Sequence, residues 1–442
     1  MAADIGLGVE RDVFDPQITS SELGIARLAA GAYVVLFLIV DFQPFVLLRQ
    51  IPGSVGWGLL PMLGVAALML APSSDLSRVP VSFAFLAIGT WFAMSLAWSQ
   101  SFGVGFFMVR SQVPALVLLM LVVGTMRPDD TIRILLAVFT GIAAWSLLTS
   151  LLLVQSRIAD IGTGPDDVRL QEGWRGTFIH KNVFGAFAVL GMATVFVFVR
   201  RRGVRTALLI IFVILIFGTR SATAGGGLLA AAVAASALTW INRIDNHRGR
   251  ALAKIGSVIL LLFGIATVSA ALPVFAELYG KDLTFSGRTD IWAASWDTIT
   301  QRPWIGYGSG TVWHDQTGAV TADLHRRIGF SAAHAHNGVL DLLLAGGIIG
   351  LTLFVIVFFS LVRLAVRSLS SETAAPYGQW IIITLAGIFM MGISEPLFER
   401  PVLGLLLIMW SVTTKVTAAE AAHDARVAVE AFTPRAARTD PR

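Results

Sequence analysis

The chain contains no cysteine. Thiol redox chemistry, cysteine-based zinc sites and a disulfide scaffold are therefore excluded. Charge is also scarce. Asp, Glu, Lys and Arg make up 14% of 442 residues, against roughly 25% in ordinary soluble chains. Hydrophobic residues reach 55% and mean hydropathy is +0.75. A soluble fold of this size needs a charged exterior, so the composition predicts an all-α polytopic membrane protein. A disordered chain and a coiled coil are excluded on the same grounds. The net charge of +5, from 33 Lys+Arg against 28 Asp+Glu, reads as loop charge rather than nucleic-acid binding. Residues 1–23 carry Asp4, Glu10, Asp12, Asp15 and Glu22, and no apolar run follows a basic start. The expectation is a short polar tail without a cleaved secretory signal.

A spanning helix needs about 20 mostly apolar residues. Twelve segments are candidates, 206–218 being short: 26–45, 55–72, 80–98, 104–125, 132–154, 183–200, 206–218, 225–241, 255–276, 346–366, 378–394 and 401–417. Arg110 falls inside the fourth, where it either lines a cavity or snorkels to the interface. Basic residues set the orientation. With the N-terminus in the cytoplasm, Arg78, Arg127, Arg133, Arg200–Arg202, Arg205, Arg243, Arg248, Arg250, Lys254, Arg363 and Arg367 fall inside. The organisation expected is a cytoplasmic tail at 1–25, helices 1–9 over 26–276, and one large extracytoplasmic loop at 277–345 between helices 9 and 10. Helices 10–12 over 346–417 and a cytoplasmic tail at 418–442 follow.

The remaining outer segments break the charge bias. They carry Arg157, Arg169, Arg175, Lys181, Arg220, Lys281, Arg288, Arg302, Arg326, Arg327 and Arg400. Cations on the disfavoured side need a partner: an anionic ligand, or local carboxylates such as Asp166, Asp167 and Asp290. In the long loop, residues 286–302 begin with Ser286 as a helix cap and Asp290 in the first turn. Ile291, Trp292, Ser295, Trp296 and Ile299 recur at helical spacing. Such a helix lies at the membrane face, and Pro303 ends it. Trp292, Trp296 and Trp304 either anchor it in the interface or stack on sugars. Gly306, Gly308 and Gly310 then predict a tight backbone turn.

Five of the seven histidines (His180, His314, His325, His334 and His336) lie on the outer side. His334 and His336 are two apart, which puts them on one side of an extended segment. No third ligand has helical spacing, so metal binding is not the expectation. A base or hydrogen-bonding role suits neutral imidazole near pH 7; the plain alternative is a residue capping the next membrane helix. Glu395, Glu399 and Arg400 form a charged cluster in the last outer turn.

Phe285–Arg288 (FSGR), Arg302–Gly308 (RPWIGYG), His334–Leu340 (HAHNGVL) and Gly346–Gly350 (GGIIG), taken in this order, resemble the signature of the O-antigen ligase and polysaccharide polymerase superfamily. Arg175–Asn182 (RGTFIHKN) and Thr219–Ser221 (TRS) are similar to blocks of its exopolysaccharide polymerase branch. The resemblance covers about residues 170–400. It implies a glycosyltransferase-C-like fold of about twelve transmembrane helices in the bacterial cytoplasmic (inner) membrane, with the active site on the extracytoplasmic side. It also implies the reaction: a glycan moves from undecaprenyl pyrophosphate to an acceptor hydroxyl, with inversion and without metal or other cofactor. The implied partners are the lipid-linked donor, a glycan or lipid acceptor, the bilayer and other polysaccharide-assembly proteins.

The residues suit that chemistry. A pyrophosphate leaving group needs cations where charge develops, and arginine offers bidentate contacts. Arg220 and Arg288 match the family's arginine positions. Arg175, His180, Lys181 and Arg400 are further substrate-binding candidates. His336 is the first choice for the base, with His334 second, and Asn337 is placed to orient His336 or a sugar hydroxyl. The RGTFIHKN block leans toward a polymerase over a ligase. A secondary transporter or flippase is the alternative of another class, although no internal repeat of the kind transporters show is evident.

Overall fold

The computed structural model describes residues 22–42, 53–153, 173–178, 180–241, 243–244, 288–315, 317–398 and 401–432. All regular structure among them is helical. The helices are α1 (Glu22–Phe42), α2 (Gly53–Leu70), α3 (Ser73–Leu76), α4 (Phe83–Met94), α5 (Phe102–Thr125), α6 (Pro128–Leu152), α7 (Lys181–Phe198), α8 (Arg202–Gly218) and α9 (Ala222–Ile241), then α10 (Arg288–Gln301), α11 (Thr311–His314), α12 (Ala319–Ile328), α13 (Gly338–Ser368), α14 (Ala375–Gly392) and α15 (Pro401–Phe432). Six stretches among the described residues are long and apolar enough to cross a membrane: α6, α7, α9, α13, α14 and Val402–Val427 of α15. Shorter apolar helices, Gly24–Ile39, Leu60–Leu70, Phe83–Ala97 and Val113–Thr125, accompany them. The protein is a polytopic membrane protein. The expected span 255–276 lies outside the described residues, as do Ser286 and the side chain of Arg110.

Three helices, α7, α9 and α14, carry the site on their ends, and small residues let them approach closely. A Cβ added to Gly227 of α9 would lie 2.5 Å from Met391 Cγ, and one on Gly185 of α7 would lie 2.5 Å from Ala224 Cβ. Any larger residue there would push the helices apart and spread the site above them.

The tenth expected span differs from the structure. It was placed at 346–366, but helix begins at Gly338 and is broken once, at Gly347, with φ 64° and ψ −165°. That conformation is essentially restricted to glycine. The break admits the loop 303–308. Tyr307 and Gly308 donate their N–H groups to Leu344 O (2.8 Å) and Ala345 O (3.0 Å), while Pro303 O and Trp304 O accept from Ile348 N (2.8 Å) and Ile349 N (3.2 Å). The loop thus satisfies backbone groups that the break would otherwise orphan. A Cβ on Gly347 would lie 2.3 Å from Trp304 O, and Gly306, at φ 64°, is 2.7 Å from Leu344 O by the same test. RPWIGYG and GGIIG are therefore two halves of one docking joint.

The described part of residues 277–345 has its own small core. Ile291, Ala294 and Ile299 of α10 pack with Tyr307, Trp313, Leu324, Ile328 and Ala335, over Leu343 and Leu344 of α13. Helix α10 buries one face and leaves Trp296 56% exposed. At its far end α15 continues beyond residue 417 to Phe432, so the start of the region expected as a tail is helical.

Candidate functional site

The site is built around Glu395, in the turn between α14 and α15. Phe398 folds back so closely that a Cβ on Gly392 would lie 2.1 Å from its ring. That packing points the turn inward and leaves the Glu395 side chain only 8% exposed. Its Oε1 gathers partners from three distant segments. Asn182, in the first turn of α7, donates its Nδ2 to it. Arg288 Nη2, at the start of α10, lies 3.4 Å away. His336 Nδ1 lies 3.6 Å away. Asn182 is held in turn, its Oδ1 accepting from Ser221 Oγ at 2.7 Å. Beside it, the Thr223 and Ser394 hydroxyls pair at 2.9 Å, tying α9 to α14.

This network links both expected catalytic arginines to one end of the bundle. Arg288 contacts Glu395 directly. Arg220 immediately precedes Ser221, in the α8–α9 turn. Segment 173–178, which carries Arg175, lies against that turn: Trp174 N donates to Gly218 O at 2.7 Å. Lys181 opens α7, and its Cδ would be 3.4 Å from a Cβ on Gly173 of that segment. Arg400, Glu399 and the carboxylates Asp166 and Asp167 lie outside the described residues.

Three of the cations that break the charge bias have partners within the protein. Arg326 and Arg327 pair with Asp323 in the same helix, and Arg327 also lies 3.8 Å from Asp297. Arg302 sits over the Tyr307 ring and donates to Trp98 O at 3.4 Å. For Arg326 and Arg327 these partners are the local carboxylates offered as the alternative to a ligand.

The two histidines do share one side. Their ring centroids are 4.0 Å apart, and His336 N donates to His334 Nδ1 at 3.2 Å. Ala335 between them is held at both backbone atoms. Its N–H donates to the buried Asp341 Oδ1 at 2.9 Å, and its carbonyl accepts from Trp292 Nε1 at 2.9 Å. Trp313 Nε1 donates to the same Asp341 oxygen at 2.9 Å. Capping falls to other residues than His334 and His336. Asn337 caps α13 through Val339 N and Leu340 N, and His180 caps α7 through Asn182 N. The Asn337 carbonyl is thus committed to the helix end, and its amide N–H groups are what it can offer a ligand.

Strain marks the same place. Among the described residues, the non-glycine residues with positive φ are Arg220 (49°) and His336 (50°). Such conformations persist where the surroundings over-determine them, and they cluster at functional sites. His336 Nδ1 is also a buried nitrogen without a hydrogen-bond partner.

Electrostatics divides the histidine pair. Burial, reinforced by His336 and the nearby cations against the pull of Glu395, drives the His334 pKa down to about 3. It is a neutral ring at physiological pH. Burial alone would raise Glu395, but His336, His334 and Arg288 outweigh it and hold the carboxyl below its usual range. Glu395 is therefore an anion facing His336. One ligand atom from each of His334, His336 and Glu395 lies within 4.8 Å of the others, a trio of metal-ligating type. Sequence spacing gave no third ligand; Glu395 arrives from another helix turn. The Arg288 guanidinium on that carboxylate already supplies a positive charge and competes with any cation there.

The fold and site together are a helical membrane bundle with arginine, imidazole and carboxylate gathered at one end. Residues 181–355 match the O-antigen ligase family, which supports the O-antigen ligase and polysaccharide polymerase superfamily read from the motifs. The match includes Lys181, Arg220, Arg288, His334, His336 and Asn337, and leaves Arg175, His180 and Glu395 outside it. No curated protein matches the chain. Sequence reasoning singled out Glu395 without its role, and it missed Asn182, Ser221 and Asp341. The signal for the first two lay inside RGTFIHKN and TRS; Asp341, five residues after His336, had none.

Proposed function

We propose that the protein is a membrane glycosyltransferase of O-antigen ligase or polymerase type, which moves a glycan from undecaprenyl pyrophosphate to an acceptor hydroxyl on the extracytoplasmic side of the cytoplasmic membrane. The observation that carries this reading is the convergence of Arg288, His336 and Glu395, with Arg220 on the adjoining turn. In the proposed reaction Arg288 and Arg220 take the charge that develops on the pyrophosphate as the anomeric C–O bond breaks. His336 accepts the proton of the attacking hydroxyl at Nε2. Glu395 faces Nδ1 and stabilises the imidazolium that forms, the logic by which a carboxylate orients a catalytic histidine. Attack opposite the leaving group inverts the anomeric centre in a single displacement, and no metal enters these steps. Lys181, Arg175, His180, His334, Asn337 and Arg400 are assigned to binding the donor head and the sugars.

Ligase and polymerase differ only in the acceptor, and the RGTFIHKN block favours a polymerase. A deletion strain separates them: polymerase loss leaves single repeats, ligase loss leaves long unattached chains. Purified protein with a lipid-linked glycan tests the chemistry. A covalent glycan product supports the proposal, whereas accumulation of substrate in vesicles without a product would support the transporter alternative. Transporter sites sit near the bilayer midplane, and the polar network described above sits at helix ends.

A further inference from the structure

Left-handed backbone at His336 needs something to hold it there, because a residue with a Cβ avoids that region. The holders sit on both sides of the residue. Ala335 C=O and His336 N–H belong to one planar peptide unit and point away from its opposite edges. The oxygen accepts from Trp292 Nε1 at 2.9 Å, and the N–H donates to His334 Nδ1 at 3.2 Å. The unit before His336 is thus gripped at both edges. After His336 the chain enters α13 at once: Asn337 caps that helix through Val339 N and Leu340 N, and its carbonyl accepts from Asp341 N at 3.0 Å. With both flanks fixed, the φ of His336 is determined, and it takes the value of 50°. In that conformation its Nδ1 stands 3.6 Å from Glu395. Of the two grips on the peptide, the one from Trp292 comes from another element. Trp292 lies one turn after Arg288 on the same face of α10, half-buried against the small core. One helix therefore sets Arg288 against Glu395 and, through Trp292, holds the peptide that leads into His336.

We propose that Trp292 is a positioning residue for His336: its indole N–H clamps the Ala335–His336 peptide and so keeps the imidazole aimed at Glu395. The part of base given to His336 rests on the function proposed above; the clamp itself does not. The residue type fits the task. An indole N–H is a donor only, and the ring is long enough to cross from α10 to the histidine segment. Ala335 is fully buried, so its carbonyl has no water to turn to when the indole is removed. The peptide is then free to turn over. His336 relaxes out of the left-handed region, because strained backbone persists only where its surroundings over-determine it, and the ring swings off Glu395. Trp292 contacts neither donor nor acceptor in this scheme and acts through His336.

The test uses detergent-purified full-length protein and two independent readouts. In turnover, Trp292→Phe keeps an aromatic ring and removes the N–H. Its kcat for glycan transfer should fall about tenfold, the scale of a small misplacement of a reacting group, with donor and acceptor KM near wild type. Incorporation of β-(3-benzothienyl)alanine at position 292 keeps the fused ring and replaces N–H by sulfur; it should reproduce the loss. Wild-type kcat in that isostere would assign the effect to packing and overturn the proposal. The double variant Trp292→Phe with Glu395→Gln should be little worse than Glu395→Gln alone, because both act through the same imidazole; losses that multiply would overturn it. The second readout needs no substrate. In nitrogen NMR of histidine-labelled protein, the imidazole signal of His336, identified by its loss in His336→Asn, should move in Trp292→Phe, while that of the exposed His423 on α15 stays in place. An unmoved His336 signal would sink the clamp. Should that signal move while the wild type forms no glycan product with any lipid-linked donor, the clamp stands and the transferase reading falls. Should Trp292→Phe transfer glycan at the wild-type kcat, the transferase reading stands and the positioning role falls.

Discussion

The two ends of the helix bundle both bury charge, and they use it differently. At the end away from the site, Lys415 of α15 donates to Gly124 O (2.6 Å) and Met126 O (2.5 Å), closing the C-terminus of α5. Ser371 donates to Glu420, and the Tyr377 hydroxyl reaches toward Asp129. Each of these groups has a partner within the protein and lies on unstrained backbone. At the other end, His336 presents on a positive-φ backbone a buried nitrogen that makes no hydrogen bond and lies 3.6 Å from Glu395, and Arg220 shares that strain. Buried polarity that is satisfied holds helices in register. Buried polarity left unsatisfied and strained is being kept for something that binds. Buried hydroxyls without a hydrogen-bond partner occur on α15 too, at Ser411 and Thr413, so it is their coincidence with strained backbone that separates site from scaffold.

The contrast is easiest to break at its centre. Arg288→Ala should lower transfer by about 10²–10³-fold, the scale of removing one preorganised charge-stabilising donor, with membrane insertion intact. Full activity in a purified lipid-linked-donor assay would remove the arginine from the chemistry. Glu395→Gln keeps the shape of the turn and removes the anion, and a comparable loss is expected. Its distinguishing sign is a fall in kcat with the thermal midpoint little changed, because the carboxylate facing the reacting imidazole is lost. A loss of activity that follows a lower thermal midpoint would leave Glu395 a purely structural residue.

A smaller effect tests how the histidine pair is held. Asp341 fixes Ala335 N between the two histidines. Asp341→Ala leaves two buried donors, Ala335 N–H and Trp313 Nε1, without an acceptor, at a cost of about 1–3 kcal/mol each. Activity should fall about tenfold through kcat, with the donor KM little changed, and Asp341→Asn should recover part of it. A loss confined to KM would show that Asp341 shapes substrate binding instead.

The acid side gives a further separation. The folded His334 pKa of about 3 lies below the ordinary 6.5, so the unfolded chain takes up a proton first as pH falls. Stability present above about pH 6.5 is therefore lost progressively down to pH 3. Glu395, whose folded pKa is also depressed, adds loss in the same direction below its ordinary 4.5. Thermal unfolding in detergent should fall with pH across this window, and His334→Asn should flatten its upper part. An unchanged slope in that variant would mean that His334 is not the buried neutral group inferred here.

The fold class was legible because composition alone forces it: 14% charge over 442 residues leaves no soluble solution. The candidate arginines and histidines were legible because cations that break the charge bias of the loops and a close histidine pair are conspicuous against an apolar background. Glu395 was visible only as part of a charged turn. Its role depends on Asn182, Arg288 and His336 converging from segments up to 213 residues away, and spacing along the chain carries no trace of that. The break at Gly347 was hidden for a related reason. An apolar run with two glycines reads as continuous helix until the loop that fills the gap is known. Asp341 was hidden because an acidic residue in the first turn of a helix is ordinary.

The smallest effect sharpens the comparison from the scaffold side. Lys415→Met keeps the length and apolar stem of the side chain and removes its charge, so the carbonyls of Gly124 and Met126 lose their shared donor. Hydrogen bonds between membrane helices average below about 1 kcal/mol, so the thermal midpoint should fall by only a few degrees. The pH–rate profile and both KM values should match the wild type, because nothing at this end faces substrate. Altered kinetic constants, rather than a lower melting point, would show that the two ends are coupled, and the division between scaffold and strained site would then be too simple.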